Sequence, residues 1–228
     1  TYFIPLFVIG FIVKLEHDGV VVTLVKDYAL IFSMIAIAQF SYILLIYFIS
    51  STNISALQSI KNMLPAAITG FSTMSSAAAM PLTIIGTQKN ASNPDLARSV
   101  IPATVNVHLI GDCFAIPILA YAILKSFEIP EPMLLSYLVF SFYFVLAKFS
   151  VAAVPGGGII VMLPILESYL GFNPQMLSLI TALYILFDPV ITCANVLGNG
   201  AFALVIDKIK DGVFKSKDAN FQSEVSDI

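Results

Sequence analysis

Long apolar stretches separated by short polar breaks dominate the pattern of this chain. Residues 28–49 form an uninterrupted apolar stretch, and a helix needs roughly 20 apolar residues to cross a bilayer. This stretch therefore predicts a transmembrane helix. Residues 2–13 are also apolar but too short to span alone, so we interpret them as the end of a truncated helix. We accordingly expect the chain to be an N-terminally truncated piece of a longer protein.

Two further apolar regions contain residues that would interrupt a simple span. Residues 64–88 are broken by small, polar and proline residues, namely Gly70, Ser72, Thr73, Ser75, Ser76 and Pro81. Residues 132–170 are broken by Lys148 and by the run Val154-Pro155-Gly156-Gly157-Gly158. A glycine triplet after a proline does not continue a helix without a large cost. We interpret both regions as re-entrant helical hairpins, whose non-helical tips must pack in protein or line a cavity; a pair of kinked spans is the alternative.

Each predicted hairpin is followed by an apolar segment with a polar centre. In residues 99–124 the polar positions are Thr104, Asn106, His108 and Asp112. In residues 175–206 they are Asp188, Thr192, Asn195 and Asn199. Both segments also contain an Asn-Val pair, then glycine, then a Phe-Ala pair. Because the order of hairpin and span occurs twice, the chain predicts an inverted repeat, with a binding site where the broken helices meet near the midplane.

The predicted fold class is an all-α polytopic membrane protein with transmembrane helices and two re-entrant helical hairpins. We assign residues 1–50 to scaffold or transport helices, of which the first is truncated. Residues 51–206 form the predicted transport core, and residues 207–228 a cytoplasmic tail. The tail begins with a basic run that favours the cytoplasm, although a plain solvated tail fits it equally well; the run consists of Lys208, Lys210, Lys215 and Lys217.

Composition and charge agree with a membrane protein. The chain is 58% hydrophobic and 11% charged, with a mean hydropathy of +0.93, whereas a soluble domain carries about a quarter charged residues. The net charge is −3 and no basic cluster lies inside the chain, so we expect no nucleic-acid partner. No nucleophile–base pair, catalytic carboxylate pair or metal-ligand cluster is recognisable in the sequence. We therefore expect neither an enzyme nor a cofactor, and no metal other than a transported sodium ion.

Asp188 is the strongest candidate for a functional residue. An ionisable residue inside a span is costly and by default marks a function, and no charged residue occurs between positions 168 and 187. On a helix Asp188 shares one stripe with Thr192, Asn195 and Asn199. Such a stripe either joins helices or lines a pathway for solutes and ions. Because this one contains a carboxylate, we favour the pathway.

Other polar positions leave more than one interpretation open. Asn106 and Asp112 would lie on different faces of a helix unless the helix unwinds near Gly111. His108 either titrates near neutral pH or is a hydrogen-bonded packing residue. The side chain of Lys148 is expected to extend to the membrane interface, as long basic side chains do.

The two predicted hairpin tips offer backbone groups as ligands. Free N–H groups at a helix start favour a substrate carboxylate, and free carbonyls at a helix end favour a cation. Ser75 and Ser76 add hydroxyl groups at the first tip. The glycines 156–158 would let the second tip approach a ligand closely and move as a lid.

The order of these motifs resembles the dicarboxylate/amino acid:cation symporters, a family that includes the glutamate transporters. The matching features are the serine-rich tip with Met80-Pro81, the asparagine-bearing span, the Val-Pro-Gly-Gly-Gly tip and the Asp188…Thr192…Asn195 stripe. The resemblance covers nearly the whole chain and implies the C-terminal, transport-core portion of a divergent member. It implies two hairpins and two spans preceded by two scaffold helices, with the earlier scaffold helices before Thr1.

The resemblance also implies partners and a location. We expect a homotrimer, held mainly by the scaffold helices that would precede this chain, with a small-molecule substrate and membrane lipids as partners. The expected location is a cell membrane, and we favour the bacterial inner membrane. The protein would cross it several times.

Residue by residue, the resemblance implies two sets of site residues. The substrate-binding set comprises the first-tip serines, the lid and the stripe: Ser75, Ser76, Val154, Pro155, Gly156, Gly157, Asp188, Thr192 and Asn195. Within it, Asp188 would receive the amino group of the substrate. The cation-binding set comprises Asn106, His108, Asp112, Asn195 and Asn199.

Several positions depart from the pattern of the family. Members that carry acidic substrates have an arginine in the last span one residue before the threonine, where this chain has Ile191, and the alternative position in the first tip holds Met74. Asn199 stands where the family has a sodium-binding aspartate. The Asn-Met-Asp-Gly-Thr segment of the family is replaced by residues 106–112, in which either Asn106 or His108 takes the place of its asparagine.

These departures bear on specificity and coupling. Without the arginine, selectivity for acidic amino acids is in question. Because two carboxylates are lost from sites for hard cations, we expect fewer coupled sodium ions, or coupling to protons through Asp188, Asp112 or His108. The predicted function is secondary active symport of a small amino acid or dicarboxylate with sodium or protons by alternating access. A channel or leak pathway and a transport-inactive binding homologue are the alternatives.

Overall fold

The computed structural model describes residues 10, 13, 17, 20–52, 54–151 and 155–226. Within these ranges the regular secondary structure is entirely helical, which confirms the predicted all-α class. The helices are α1 Val20–Ser50, α2 Ala56–Thr73, α3 Ser76–Gln88, α4 Pro94–Thr104, α5 Ile110–Ser126, α6 Leu134–Lys148, α7 Gly157–Ile160, α8 Leu163–Leu170 and α9 Pro174–Ser226.

Two of these helices contain segments that are long and apolar enough to cross a membrane. They are Lys26–Ser50 within α1 and Pro174–Lys210 within α9. The first covers the span predicted over residues 28–49. The central helix of the fold is α9, which packs against α1, α2, α3, α4 and α5.

The region predicted as the first hairpin contains two helices that pack against each other, α2 and α3. The break between them is at Met74, which has a left-handed backbone with φ of 50° and donates its N–H to the carbonyl of Gly70. The hydroxyl of Ser75 then accepts a hydrogen bond from the N–H of Ala78 at 3.2 Å. This serine cap satisfies one of the free N–H groups with which α3 begins.

The second predicted hairpin is also built from broken helices. Its first arm is α6, which packs against α8. Between them lie the short helix α7 and its N-cap Gly156, whose φ of +70° is a conformation that favours glycine. The lower-numbered part of the tip, Val154 included, lies outside the described residues.

The predicted span over residues 99–124 is not one continuous helix. Helix α4 ends at Thr104, α5 begins at Ile110, and residues 105–109 between them are not helical. Immediately after this break, Gly111 lies against α9, where an added Cβ would be 2.3 Å from the carbonyl oxygen of Ile191. The unwound segment and the small residue together let the start of α5 approach the backbone of α9.

Helix α1 is docked on the core by specific contacts. The Tyr47 hydroxyl donates to the carbonyl of Leu197 in α9 at 3.0 Å. The rings of Phe32 and Phe187 stack with their centroids 4.7 Å apart. Both contacts join α1 to α9, so α1 is part of the same packed unit as the rest of the described chain.

The end of the apolar region differs from a simple tail. Helix α9 runs without a break through the predicted boundary at residue 207. Asp207 itself is buried, and its carboxylate accepts hydrogen bonds from the backbone N–H groups of Ser92 and Asn93. This contact connects α9 to the turn that precedes α4.

Candidate functional site

A small cavity lies where α9 meets the two broken-helix regions. It is a cavity of ≈ 20 Å³, which is room for about one water molecule. The first tip contributes Met74 and Ser76, and the second contributes Gly158. Apart from Ser76, the polar side chains in its wall come from α5 and α9: Asp112, Tyr184, Asp188, Thr192 and Asn195. Leu109 and Val151 complete the wall.

Asp188 is held by neutral donors. One carboxylate oxygen accepts the backbone N–H of Gly156 at 2.9 Å, and the other accepts the hydroxyl of Thr192 at 3.0 Å. The first of these hydrogen bonds joins α9 to the second tip, and the second follows the i, i+4 spacing of the helix. Asp188 is buried, and within the described part of the chain no basic side chain forms an ion pair with it.

Asp112 is the second buried carboxylate of the site, and it accepts hydrogen bonds from three side chains. The Tyr184 hydroxyl donates to Oδ1 at 2.8 Å and the Asn195 amide donates to Oδ2 at 2.8 Å. The Lys148 ammonium lies 2.9 Å from Oδ1. The Asn195 side chain is itself oriented by the N–H of Gly111, which donates to its Oδ1 at 2.8 Å.

Lys148 is buried in the protein, so the expectation that it extends to the interface is wrong. Its side chain is 5% exposed, and besides the carboxylate of Asp112 it contacts the carbonyl oxygen of Gly158 at 3.2 Å. The ammonium also lies 5.2 Å from the centroid of the Phe144 ring. A partner carboxylate inside the fold removes the reason for a lysine to reach water, because the charge is compensated where it lies.

The close approach of the second tip depends on the absence of a side chain at Gly158. An added Cβ would be 2.2 Å from Asp112 Oδ1 and 2.3 Å from the Tyr184 hydroxyl oxygen. Both atoms belong to the hydrogen-bonded cluster around Asp112. The glycine-rich sequence of this tip therefore serves contact with the site as well as backbone freedom.

A second cavity lies beside the first, and Asp188 belongs to the walls of both. It has a volume of ≈ 70 Å³. Its wall includes Met74 from the first tip, Pro155 and Gly156 from the second, and Asp188. Asp188 is thus positioned between both tips and borders both cavities.

The remaining predicted site residues that the structure describes are not part of the wall of the first cavity, apart from Ser76, Thr192 and Asn195 described above. Ser75 caps α3, and Gly157 is buried at the start of α7. Asn106 is exposed in the unwound segment. The His108 ring stacks on Phe202 with centroids 4.5 Å apart.

Asn199 lies one turn beyond Asn195 on α9. It is buried, and its Oδ1 has no hydrogen-bond partner among the described residues. Val154 falls outside the described part of the chain, so its predicted role in the lid stays a prediction.

Two polar residues of the site were not among the candidates. Tyr184 precedes Asp188 by four positions, so the polar stripe on α9 extends one turn further than predicted, and the same spacing argument identifies it. Lys148 was noticed, but its contribution depends on Asp112, which is 36 positions away. Nothing local in the sequence indicates that contact.

An apolar all-helical chain with buried carboxylates between broken helices has the features of a membrane transport protein. The model of the sodium:dicarboxylate symporter family matches residues 1–209, and the chain belongs to this family. This confirms the resemblance described above. The family is one of transporters and not of enzymes, so symporter-type transport in a membrane is the function of the family to which the chain belongs. A search of curated individual proteins found no match.

Proposed function

We propose that this protein is a secondary active symporter that carries a small amino acid or dicarboxylate by alternating access, with sodium or protons as the coupling ion. The observation that carries the proposal is the small site to which both tips contribute. Met74 and Ser76 from one tip and Gly158 from the other lie across the same cavity as Asp188. Transporters that work by alternating access place their substrate site where broken helices meet.

The charges of the site suit a substrate with an amino group. Asp188 has two neutral donors and no ion-pair partner among the described residues, so a substrate ammonium would supply the missing positive charge. Thr192 and Asn195 lie beside it. The N-terminal end of α3, with Ser75 and Ser76, would receive the substrate carboxylate, because free N–H groups and the helix dipole favour an anion there.

The lack of an arginine at the site is our argument for the substrate class. The sequence contains one arginine, Arg98, and its side chain is exposed and paired with Asp95. A second carboxylate on the substrate would therefore have no bidentate arginine partner. The lysine of the site, Lys148, already pairs with Asp112. We therefore favour a small neutral amino acid over an acidic one.

The size of the cavity supports a moving lid. A volume of ≈ 20 Å³ is too small for an amino acid, so the tips must separate before a substrate enters. The second tip, residues 155–158, is the candidate lid because it is glycine-rich and contacts Asp188 through Gly156. The preceding residue, Val154, is assigned to the same lid on the resemblance alone.

For the coupling ion, the described contacts favour the last span over the unwound segment. Asn199 is buried with an open Oδ1, and Asn195 lies one turn before it. Asp112 accepts three donors in this conformation and has little capacity for a further cation. On the resemblance, Asn106 remains a candidate ligand, and His108 remains a candidate ligand or proton carrier.

The proposed arrangement in the membrane follows the family. The pairs α2–α3 and α6–α8 would be re-entrant hairpins, and α4–α5 and α9 the spans that follow them in an inverted repeat. Because α1 contacts α9 through Tyr47 and Phe32, we place it with the transport core. The protein would be a multi-pass homotrimer of a bacterial inner membrane.

A ligand panel tests the substrate class. The full-length protein, purified in detergent, is heated with glycine, alanine, serine, aspartate, glutamate and dicarboxylates without an amino group, each in sodium and in choline buffer. A bound ligand raises the unfolding temperature by mass action. Stabilisation by neutral amino acids alone supports the proposal. Stabilisation by a dicarboxylate that lacks an amino group would contradict the role of Asp188.

A further inference from the structure

The proposed function gives the buried ion pair between Lys148 and Asp112 no role of its own in ion coupling. The pairs Arg98–Asp95 and Lys125–Glu131 are exposed, whereas both partners of the Lys148–Asp112 pair are at most 5% exposed. Ion pairs removed from water stabilise a fold poorly, because the loss of hydration offsets their attraction. A role in the charge balance of the site explains this pair better than a role in stability.

Among the described residues, the ligands of the Lys148 ammonium are oxygen atoms from two different elements. Asp112 Oδ1 in α5 lies at 2.9 Å and the Gly158 carbonyl at 3.2 Å. Carboxylate and carbonyl oxygens are the ligands that hard metal cations take from proteins. The lysine thus places a single positive charge in an environment that would suit an inorganic cation.

The balance of charges in the site also points to the Lys148 ammonium as the cation at Asp112. Two carboxylates, Asp112 and Asp188, border the cavity, and buried charges need partners. A substrate ammonium would balance Asp188, and Lys148 balances Asp112. The loaded site therefore reaches charge balance at both carboxylates without a metal ion at Asp112.

We propose that the Lys148 ammonium is a tethered cation that fills, at Asp112, a position where the protein would otherwise bind a sodium ion. The inference rests on the proposed symport function and makes it more specific. This position contributes no sodium to the coupling stoichiometry, because its positive charge is part of the chain and stays on the carrier through the cycle.

The surroundings of Asp112 define what removal of the lysine would leave. Tyr184 and Asn195 hold the carboxylate in place from α9, so it cannot turn away. In Lys148→Met, Asp112 Oδ1 and the Gly158 carbonyl would face a space with an uncompensated negative charge. Because the methionine side chain ends one atom short of the Lys148 ammonium, a sodium ion would take the position of that ammonium and supply the missing charge.

The test counts sodium ions on the purified full-length protein. Binding of ²²Na⁺ is measured by scintillation proximity, and unfolding temperatures are measured in sodium and in choline at equal ionic strength. We expect Lys148→Met to bind one sodium ion per chain more than wild type and to gain a sodium-dependent rise in unfolding temperature. The double variant Lys148→Met with Asp112→Asn is the matched control, and it should lose that additional ion.

Each outcome bears on the proposal. Equal sodium counts in Lys148→Met and wild type would overturn it. If the single variant folds only in sodium, the ion replaces the ammonium and the proposal is supported. If the single variant fails to fold in both buffers while the double variant folds, sodium does not replace the ammonium, and the proposal is overturned.

The binding measurement is separable from the proposed function. It requires no transport, so a protein that shows the expected sodium counts but never accumulates a substrate would contradict the symporter and leave the tethered cation standing. A protein that accumulates substrate, but whose Lys148→Met variant shows no added sodium ion, would contradict the tethered cation alone.

Discussion

The two carboxylates of the site differ in the partners that each already has. Asp112 pairs with a lysine, whereas Asp188 accepts hydrogen bonds only from neutral groups among the described residues, Gly156 N–H and the Thr192 hydroxyl. Asp188 is therefore the carboxylate with unsatisfied charge. This difference is the reason why the proposed function places a substrate ammonium at Asp188 and not at Asp112.

The variant Asp188→Asn tests that assignment. The amide keeps the shape of the side chain but has no negative charge to pair with the substrate ammonium, so substrate affinity should fall by roughly 10–100-fold, since hydrogen bonds to charged groups contribute about 1.5–3 kcal/mol. Ligand titration of the purified variant measures this loss. Asp95→Asn, an exposed aspartate at the start of α4, is the control and should bind normally. An unchanged affinity in Asp188→Asn would remove the residue from the binding site.

The variant Gly158→Ala tests the close contact of the second tip. The new Cβ would overlap Asp112 Oδ1 and the Tyr184 hydroxyl, and overpacking of this kind costs about 1–3 kcal/mol. We expect a lower unfolding temperature together with weakened substrate binding. Gly212→Ala is the control, since nothing lies within 4 Å of a Cβ at that position. Normal behaviour of Gly158→Ala would show that the tip does not seat on this cluster.

Single-residue patterns anticipated part of the site. The spacing of Asp188, Thr192 and Asn195 on one helix requires no knowledge of the fold, because helical periodicity alone places them together, and the structure brings all three to one cavity. The role of Asp112 could not be predicted in this way. Its partners lie 36, 72 and 83 positions away in the chain, and only tertiary packing brings them within hydrogen-bonding distance.

At the scale of elements, the helix breaks are the features that bring the site residues together, and the sequence predicted them unequally. The helix breaks at Met74 and at Gly156 both fall in regions where the sequence contains residues that do not continue a helix. The sequence did not predict the break over residues 105–109 outright. It indicated only that Asn106 and Asp112 could share a face if the helix unwound near Gly111. The sequence there lacks a proline or a glycine triplet. The reason for the break is tertiary, since the start of α5 must reach the backbone of α9.

The docking of α1 on α9 is a prediction at this scale. In Tyr47→Phe the hydroxyl that donates to the Leu197 carbonyl is lost, and the free energy of unfolding should fall by about 1 kcal/mol. Thermal or denaturant unfolding of the purified protein measures the change. Tyr42→Phe, on the same helix with an exposed ring, is the matched control. Equal stability of Tyr47→Phe and wild type would argue against tight docking of α1.

At the scale of the whole molecule, composition and the order of motifs were sufficient for the class. Charge-free apolar stretches predict a membrane protein, and the family match over residues 1–209 confirms the type of transporter. What composition could not supply is the charge balance of the interior. Lys148 is a buried cation, and not a surface lysine, only because α5, α6 and α9 pack together.

The most direct test of the account is uphill uptake by the full-length protein in liposomes. Labelled neutral amino acids are supplied outside, and inward sodium and proton gradients are imposed separately, with Asp188→Asn as the comparison. The account predicts that wild type accumulates a neutral amino acid above its external concentration under one of the two gradients, and that Asp188→Asn does not. Equilibration without accumulation would indicate a channel or leak pathway. Binding without any uptake would indicate a transport-inactive homologue, and either result would contradict the symporter.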